Sequence, residues 1–476
     1  MKDIIIIGAG PSGLAAADYL ASNNTDIRVT VLEASQRVGG RTLSIELSSQ
    51  KNIIVDLGGQ WVGSDQKILR QYCSELGLQL HPQYNTGKRV LDLDTIIRTY
   101  TGLIPNVSIL VLIDAQLALL VFSILQFFLW LGGITRPLGY FSKFLDSLSV
   151  DDYSRSYMYT IGGRALVSIV VQGLFGCEAK ELSVLALCRY ALASGGLEKM
   201  TESGPNSLQA FTIIGGAMQV SEKLAKRAER KGVRILYSHL VYSIEERRGS
   251  IDNGIYLRCE NGAEFFVSRI ILAIPPPIAR SIKFVPSLSL LKETLMREST
   301  MGGIIKSIAV YTTAFWRDQG YSGEVICDTT INPTISPVFN VFDNCLPNPI
   351  TGELIPMLVI FINGERAREF STRPAKERKE CVLKQLARFY TNDHALTPIE
   401  YLEKDWVSDP FTKGCPIASY GRNVLSQTGG LQTLTQSEWG KKLIWASTET
   451  SHISTGFIDG ALQAGINAAN ESIKGL

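Results

Sequence analysis

The chain has 476 residues, 47 Lys+Arg against 45 Asp+Glu, 45% hydrophobic residues and 19% charged ones. That length exceeds one ordinary domain and the apolar share allows a large buried core, while the near-balanced charge excludes the basic footprint of a nucleic-acid binder. The eight cysteines, Cys73, Cys177, Cys188, Cys259, Cys327, Cys345, Cys381 and Cys415, form no CxxC pair; no zinc site or disulfide scaffold is expected, and a reduced intracellular compartment, the cytoplasm, fits them.

Residues 3–7 predict a short buried strand, apolar, β-branched and ended by glycine. The run leads straight into a glycine loop and lacks the length of a secretory signal. Residues 11–23 predict a helix with Leu14, Ala17 and Leu20 on one side, and Ile27 to Leu32 a second strand ending at Glu33. A β-α-β unit of about thirty residues builds parallel sheet. Residues 81–105 read as irregular or strand-rich, and 107–200 as helical. Within that stretch Val107 to Leu131 is strongly apolar and long enough to cross a bilayer. It carries Asp114, Gln116 and Gln126, and charge inside a span is costly. The expectation is a buried or groove-lining helix, with peripheral membrane contact as the alternative.

Gly215-Gly216 opens a helix through Arg230, Gly232 closes it, and Val233 to Leu236 resumes a strand. Residues 240–246, 254–259 and 263–267 alternate like antiparallel strands. Arg269 to Ile274 is a strand stopped by Pro275-Pro276-Pro277. A strand over 304–312, a charged amphipathic helix over 375–391, a strand over 443–446 and a helix over 457–473 with small residues on one face complete the chain. Because β-α-β pieces occur at both ends and in the middle, one domain is expected to be discontinuous, built from 1–80, 210–285 and 415–476. A second is expected from 81–209 and 286–414.

Gly8-Ala9-Gly10-Pro11-Ser12-Gly13 is a GxGxxG loop in its proper context, after a strand and opening a helix. Gly8 permits the tight turn, Gly10 lets the backbone approach a pyrophosphate, and Gly13 lets helix and strand pack closely. The helix N-terminal amides then face the phosphates. Glu33, at the end of the second strand, is placed to accept hydrogen bonds from ribose hydroxyls. Arg37-Val38-Gly39-Gly40-Arg41 adds a flexible turn that brings positive charge to the pyrophosphate. A dinucleotide is the expected ligand.

Val31-Leu32-Glu33-Ala34 followed by Arg37-Val38-Gly39-Gly40-Arg41 resembles the second FAD signature of the flavin amine oxidases. Val55 to Gly63, with Gly58, Gly59, Gln60 and Trp61, resembles the monoamine oxidase segment beneath the flavin. Val241 falls where the family contacts adenine, and Thr448-Glu449-Thr450 with Phe457-Ile458 resembles its C-terminal flavin clamp. The chain reads Ser447 where the family usually has glycine. The resemblance implies an α/β protein with a discontinuous Rossmann-like FAD-binding domain and a substrate domain whose mixed β-sheet is flanked by helices.

The resemblance also assigns side chains. Taken alone, Lys306 reads as an outward-facing strand lysine; the family implies that it holds a water at flavin N5. Cys415 stands nine residues after Trp406, the spacing at which animal monoamine oxidases link cysteine to the flavin, so a covalent bond and a buried unreacted thiol both stay open. The helix from Phe457 points its N-terminus at the ring, where partial positive charge stabilises reduced flavin. Animal enzymes place two tyrosines where this chain has Pro416 and Phe457; one aromatic wall remains, able to attract an amine, and either the substrate differs from simple arylalkylamines or Trp61, Phe361 or Phe411 compensates. Gln209 falls at a substrate-facing position of the family or is a loop amide. His81, His239, His394 and His452 show no paired spacing, and no metal is expected.

The resemblance implies oxidation of an amine to an imine, hydrolysed to an aldehyde or ketone, with oxygen reduced to hydrogen peroxide and the cofactor carrying the chemistry. A small amine and oxygen are the expected partners, and a homodimer is an open expectation. An FAD dehydrogenase or desaturase of a biosynthetic pathway, acting on a C–N or C–C bond, is the second reading. A non-catalytic flavin-binding or membrane-associated scaffold is the third.

Overall fold

The computed structural model describes residues 2–23, 26–93, 96–102, 104–132, 139–201, 204, 206–249, 253–328, 337–348 and 350–474. A five-stranded parallel sheet runs in the order Arg234–Leu236, Ile27–Leu32, Lys2–Ile7, Arg269–Leu272, Leu443–Trp445. Its central strand is apolar from Ile4 to Ile7, where both faces are covered. Ile4 and Ile6 pack with Leu14, Leu20 and Leu462 on one side. Ile5 and Ile7 pack on the other with Ile244 and Leu257, from the antiparallel strands Val241–Arg248 and Asn253–Cys259. The helix Pro11–Asn23 lies against the last helix, Ile458–Ile473, which begins one residue later than expected because Phe457 is its N-cap. The two approach so closely that a Cβ on Gly465 would sit 2.1 Å from the Ser12 carbonyl oxygen, which is what the small-residue face is for.

The second layer is a seven-stranded mixed sheet, in the order Glu400–Asp405, Ile304–Val310, Met357–Asn363, Asn340–Asp343, Tyr321–Cys327, Lys88–Leu93, Ile96–Tyr100. One face packs under the helix Ala375–Tyr390 through Val382, Leu386 and Phe389. The other turns toward the parallel sheet, bringing Ile308, Val359 and Phe342 against Leu57 and Trp61. The gap between the layers opens at the carboxyl ends of the parallel strands, where ligands of such sheets bind. The eight cysteines are all unpaired, and only Cys381 and Cys415 are partly accessible.

The apolar segment forms the helix Ile109–Gly132, and here the expectation of burial is corrected. Only 22% of its most apolar window is buried. Asp114, Ala118, Phe122, Gln126 and Leu129 turn inward, while Ile113, Leu117, Leu120, Ile124, Phe127, Phe128 and Leu131 are exposed. The reason is local. The Asp114 carboxylate accepts hydrogen bonds from Thr160 N at 2.8 Å and Thr160 Oγ1 at 2.6 Å, at the start of the helix Ile161–Phe175. The polar edge is therefore anchored to the protein and the apolar side faces outward. Among the described residues it is the one helix long and apolar enough to cross a membrane.

Candidate active site

A cavity of about 540 Å³ runs between the two layers, from the glycine loop to the mixed sheet. At the nucleotide end Gly8 has φ +103°, and a Cβ there would lie 2.8 Å from the Ala273 carbonyl oxygen. A Cβ on Gly13 would meet Gly8 O at 1.9 Å, whereas Gly10 faces open space. The loop is thus pressed against the end of the neighbouring strand at Gly8 and against its own first carbonyl at Gly13, and is bare toward the cavity at Gly10. Glu33 Oε2 accepts from Ala9 N at 2.7 Å and Oε1 from Ser35 N at 2.9 Å. The carboxylate fixes the loop and still lines the cavity, as does Val241.

The two arginines of the following turn divide their work. Arg37 donates to the carbonyl oxygens of Val38, Gly40 and Thr42 and so shapes the turn. Arg41 alone reaches the cavity. It pairs with Glu449 at 2.7 Å and donates to Pro416 O at 2.8 Å. Burial would raise the Glu449 carboxyl, but the Arg41 charge and its hydrogen bonds outweigh burial and hold it below the ordinary carboxylate range. Glu449 and Gly13 are the two expected residues that do not line the cavity; the first acts through Arg41, the second through packing.

Past the turn, Gly58, Gly59, Gln60 and Trp61 form one wall. Gly58 is obligatory, since a Cβ would lie 2.5 Å from both Arg41 O and Leu43 N. Trp406, 1% exposed, props this wall by donating Nε1–H to Leu57 O at 2.8 Å. Lys306 is not an outward strand lysine: it is 2% exposed and donates to Gly58 O at 2.7 Å and Gln60 Oε1 at 2.6 Å. Its ammonium sits 5.8 Å from the Trp61 ring and 5.4 Å from the Phe361 ring. Burial pulls its pKa down, opposed by the nearby Asp56 carboxylate, and burial pushes Asp56 up. Asp56 also accepts from Ala217 N at 2.9 Å, tying this wall to the helix Met218–Glu229. Cys415 lines the same region; burial, against the pull of Arg41 and Lys306, raises its thiol to about 12. Thr448 Oγ1 accepts from Gly456 N at 2.9 Å and donates to Phe457 O at 3.1 Å, setting Phe457 and Ile458 at the cavity edge.

The remaining lining includes Gln209, Phe361, Phe411, Pro416 and Phe457, all expected, and Tyr190, Asn340 and Asn363, which the sequence reading missed. Trp61 and Phe361 stack at 5.7 Å, and Tyr190 backs Phe457 at 6.1 Å. A paired aromatic surface therefore stands beside Lys306 although Pro416 offers no ring. Asn363 carried a signal in the sequence: two residues after Phe361 on one strand, it shares that ring's face. Tyr190, inside a helical stretch, carried none. His239 also lines the nucleotide end, with Nδ1 at 2.7 Å from Tyr237 O.

A glycine cradle at the mouth of a parallel sheet, continuous with a cavity holding a buried lysine and aromatic faces, defines a dinucleotide-dependent enzyme. The chain belongs to the flavin-containing amine oxidoreductases, whose family model matches residues 11–473. It is 29% identical to the "Probable flavin-containing monoamine oxidase A" of Dictyostelium discoideum, covering 99% of this chain and 97% of that one. It is also 29% identical to putrescine oxidase of Kocuria rosea, covering 99% and 95%. The solved structure of wild-type putrescine oxidase bound to putrescine superposes with a TM-score of 0.87 at 26% identity, covering 99% of both chains. Membership implies FAD, and the residues fit it. Gly10 is bare, Glu33 ends the second strand, and the buried hydroxyls of Ser12 and Ser447 line the cavity without a protein partner.

Proposed function

We propose that this protein is an FAD-dependent amine oxidase that converts an amine to an imine, hydrolysed to an aldehyde or ketone plus ammonia or a smaller amine, with oxygen reduced to hydrogen peroxide. The observation that carries the reading is Lys306, buried at Gly58 O beside the Trp61–Phe361 pair, in one cavity with the glycine cradle. A bound flavin supplies the two-electron acceptor. The chain's own residues orient the amine and keep it dry. Aromatic faces at Trp61, Phe361 and Phe457 attract the amine. Burial draws Lys306 toward its neutral form, which lessens repulsion of a cationic substrate, and Arg41 is already balanced by Glu449. Gln209 and Pro416 complete the substrate end.

The test is a visible spectrum followed by an amine panel read by peroxide release. A colourless protein that FAD cannot reconstitute overturns the reading. Amine turnover without peroxide assigns a dehydrogenase instead, and failure of every amine to bleach the flavin anaerobically assigns a scaffold. Acid precipitation decides Cys415: colour in the pellet means a thioether, colour in the supernatant a free thiol. The raised thiol pKa favours the free form, since the thiolate is the reactive species.

We also assign the exposed side of the helix Ile109–Gly132 to a lipid surface. Its outward residues are long, apolar and aromatic, with Trp130 near one end; the helix Tyr140–Ser147, whose Phe141 meets Phe128 at 6.2 Å, opens beside it with the exposed Tyr140. Its outward serine, Ser123, spends its hydroxyl on Leu119 O at 2.9 Å. An apolar face with Trp and Tyr at its border suits the headgroup boundary of a bilayer.

A further inference from the structure

The cavity holds two polar groups that neither the cofactor cradle nor Lys306 uses. Asn340 and Asn363 lie on the mixed sheet, on the face that carries Lys306. Lys306, Phe361 and Asn340 occupy one cross-strand row, since Phe361 pairs with Lys306 on one side and with Asn340 on the other. At about 4.8 Å per strand, Asn340 stands roughly 10 Å from Lys306 across the Phe361 ring. Asn363 is in the next row, opposite Ile304. Both asparagines line the cavity. Asn363 is 2% exposed and its amide is oriented, because Nδ2 donates to the Gln172 carbonyl oxygen at 3.0 Å. Among the described residues its Oδ1 is left buried without a donor, and the same is true of Asn340 Oδ1.

A buried amide oxygen with no donor has lost its hydration without replacement, so two of them on one cavity wall call for a ligand that brings a donor. The carboxylates lining the cavity are Glu33 and Glu260, both at the nucleotide end beside Val241. At the sheet end, among the described residues, nothing balances a second positive charge. Resting on the amine oxidase reading, we infer that the preferred substrate is an amine carrying an uncharged hydroxyl on its tail, an amino alcohol, whose O–H is received by Asn340 Oδ1, with Asn363 bordering the same end of the cavity, while the amine lies against the aromatic faces near Lys306. The two asparagines set specificity along the tail. Asn340 is placed across the Phe361 ring from Lys306 and Asn363 stands in the next row, so hydrocarbon amines leave both acceptors unmatched and diamines lack a counter-charge.

The experiment compares kcat/KM for three matched series of equal chain length: n-alkylamines, ω-hydroxyalkylamines and α,ω-diamines. The wild-type holoenzyme should favour the hydroxyalkylamine over the alkylamine by at least tenfold at the best-fitting length, and over the diamine as well. Asn340→Leu should collapse the hydroxyl-to-alkyl ratio toward one. Asn340→Asp should raise the diamine-to-hydroxyalkylamine ratio by tenfold or more, because it provides the missing carboxylate. A wild-type ratio near one, or a diamine preference without Asn340→Asp, overturns the inference. If no amine in any series reduces the flavin, the amine oxidase reading fails first. The wild-type comparison needs no variant, so a misfolded mutant cannot rescue the idea.

Discussion

Glu449 is buried far from solvent and its charge is answered by one guanidinium, that of Arg41. Replacing it by glutamine leaves Arg41 half-matched, and breaking a buried pair costs on the order of 3 kcal/mol. Glu449→Gln is therefore expected to lower the denaturant midpoint at pH 7. The sign of the pH effect follows from its depressed folded pKa. The carboxylate adds stability that is fully present above its unfolded value of about 4.5 and drains away as pH falls through the folded value. Unfolding curves collected downward from pH 6 should thus be steeper in pH for the wild type than for Glu449→Gln. Equal slopes would assign the acid sensitivity to other carboxylates. Lys306→Met keeps the bulk and removes the donors to Gly58 O and Gln60 Oε1. We expect turnover about a hundredfold lower, the scale of losing one preorganised donor, with the flavin still bound. Rapid-mixing kinetics that separate flavin reduction from reoxidation will show which half slows, and unaltered turnover would remove Lys306 from the chemistry.

Elements were legible in the sequence to the extent that their determinants are local. The run Ile4 to Ile7, the glycine loop and the helix after it were readable because turn chemistry and periodicity belong to neighbouring residues. The helix Ile109–Gly132 was readable as a helix but not as an exposed one. Its exposure depends on Asp114 reaching Thr160, 46 residues away, and on what the fold sets against the other side. That exposed face supports a direct test. Phe127→Glu with Phe128→Lys changes two outward side chains and, as surface substitutions, should alter stability by about 0.5 kcal/mol or less. It should nevertheless abolish co-sedimentation with phosphatidylcholine–phosphatidylglycerol vesicles. Wild-type protein that stays in the supernatant defeats the assignment, and wild-type self-association reversed by the double variant would mark the face as a contact between copies.

Across the whole molecule, the site is assembled by contacts that sequence order hides. Arg41 meets Glu449 across 408 positions and Lys306 meets Gly58 across 248. Family resemblance supplied Arg41, Glu449 and Gly58 as cofactor residues and Lys306 as a catalytic one; only the fold shows that Arg41 reaches the cavity while Arg37 shapes the turn, or that Asn340 shares a row with Lys306. Because the cavity gathers segments from both ends of the chain, FAD should fasten them together. Stripping it is expected to remove about 4 kcal/mol of apparent stability, the linkage for ligand at a thousandfold excess over Kd, seen as a lower and broader melting transition. An unchanged melt would show that the two layers hold without it. The unpaired cysteines acquire a meaning here. Burial lifts the thiols of Cys73 and Cys259 to about 11 and those of Cys345 and Cys415 to about 12, and raises Cys177, Cys188 and Cys327 further. Peroxide oxidises thiolates, climbing from sulfenic to irreversible acids. On the oxidase reading proposed above, these thiols stay in the protonated form that released peroxide attacks least, a protection against the enzyme's own product that follows from the packing of the core.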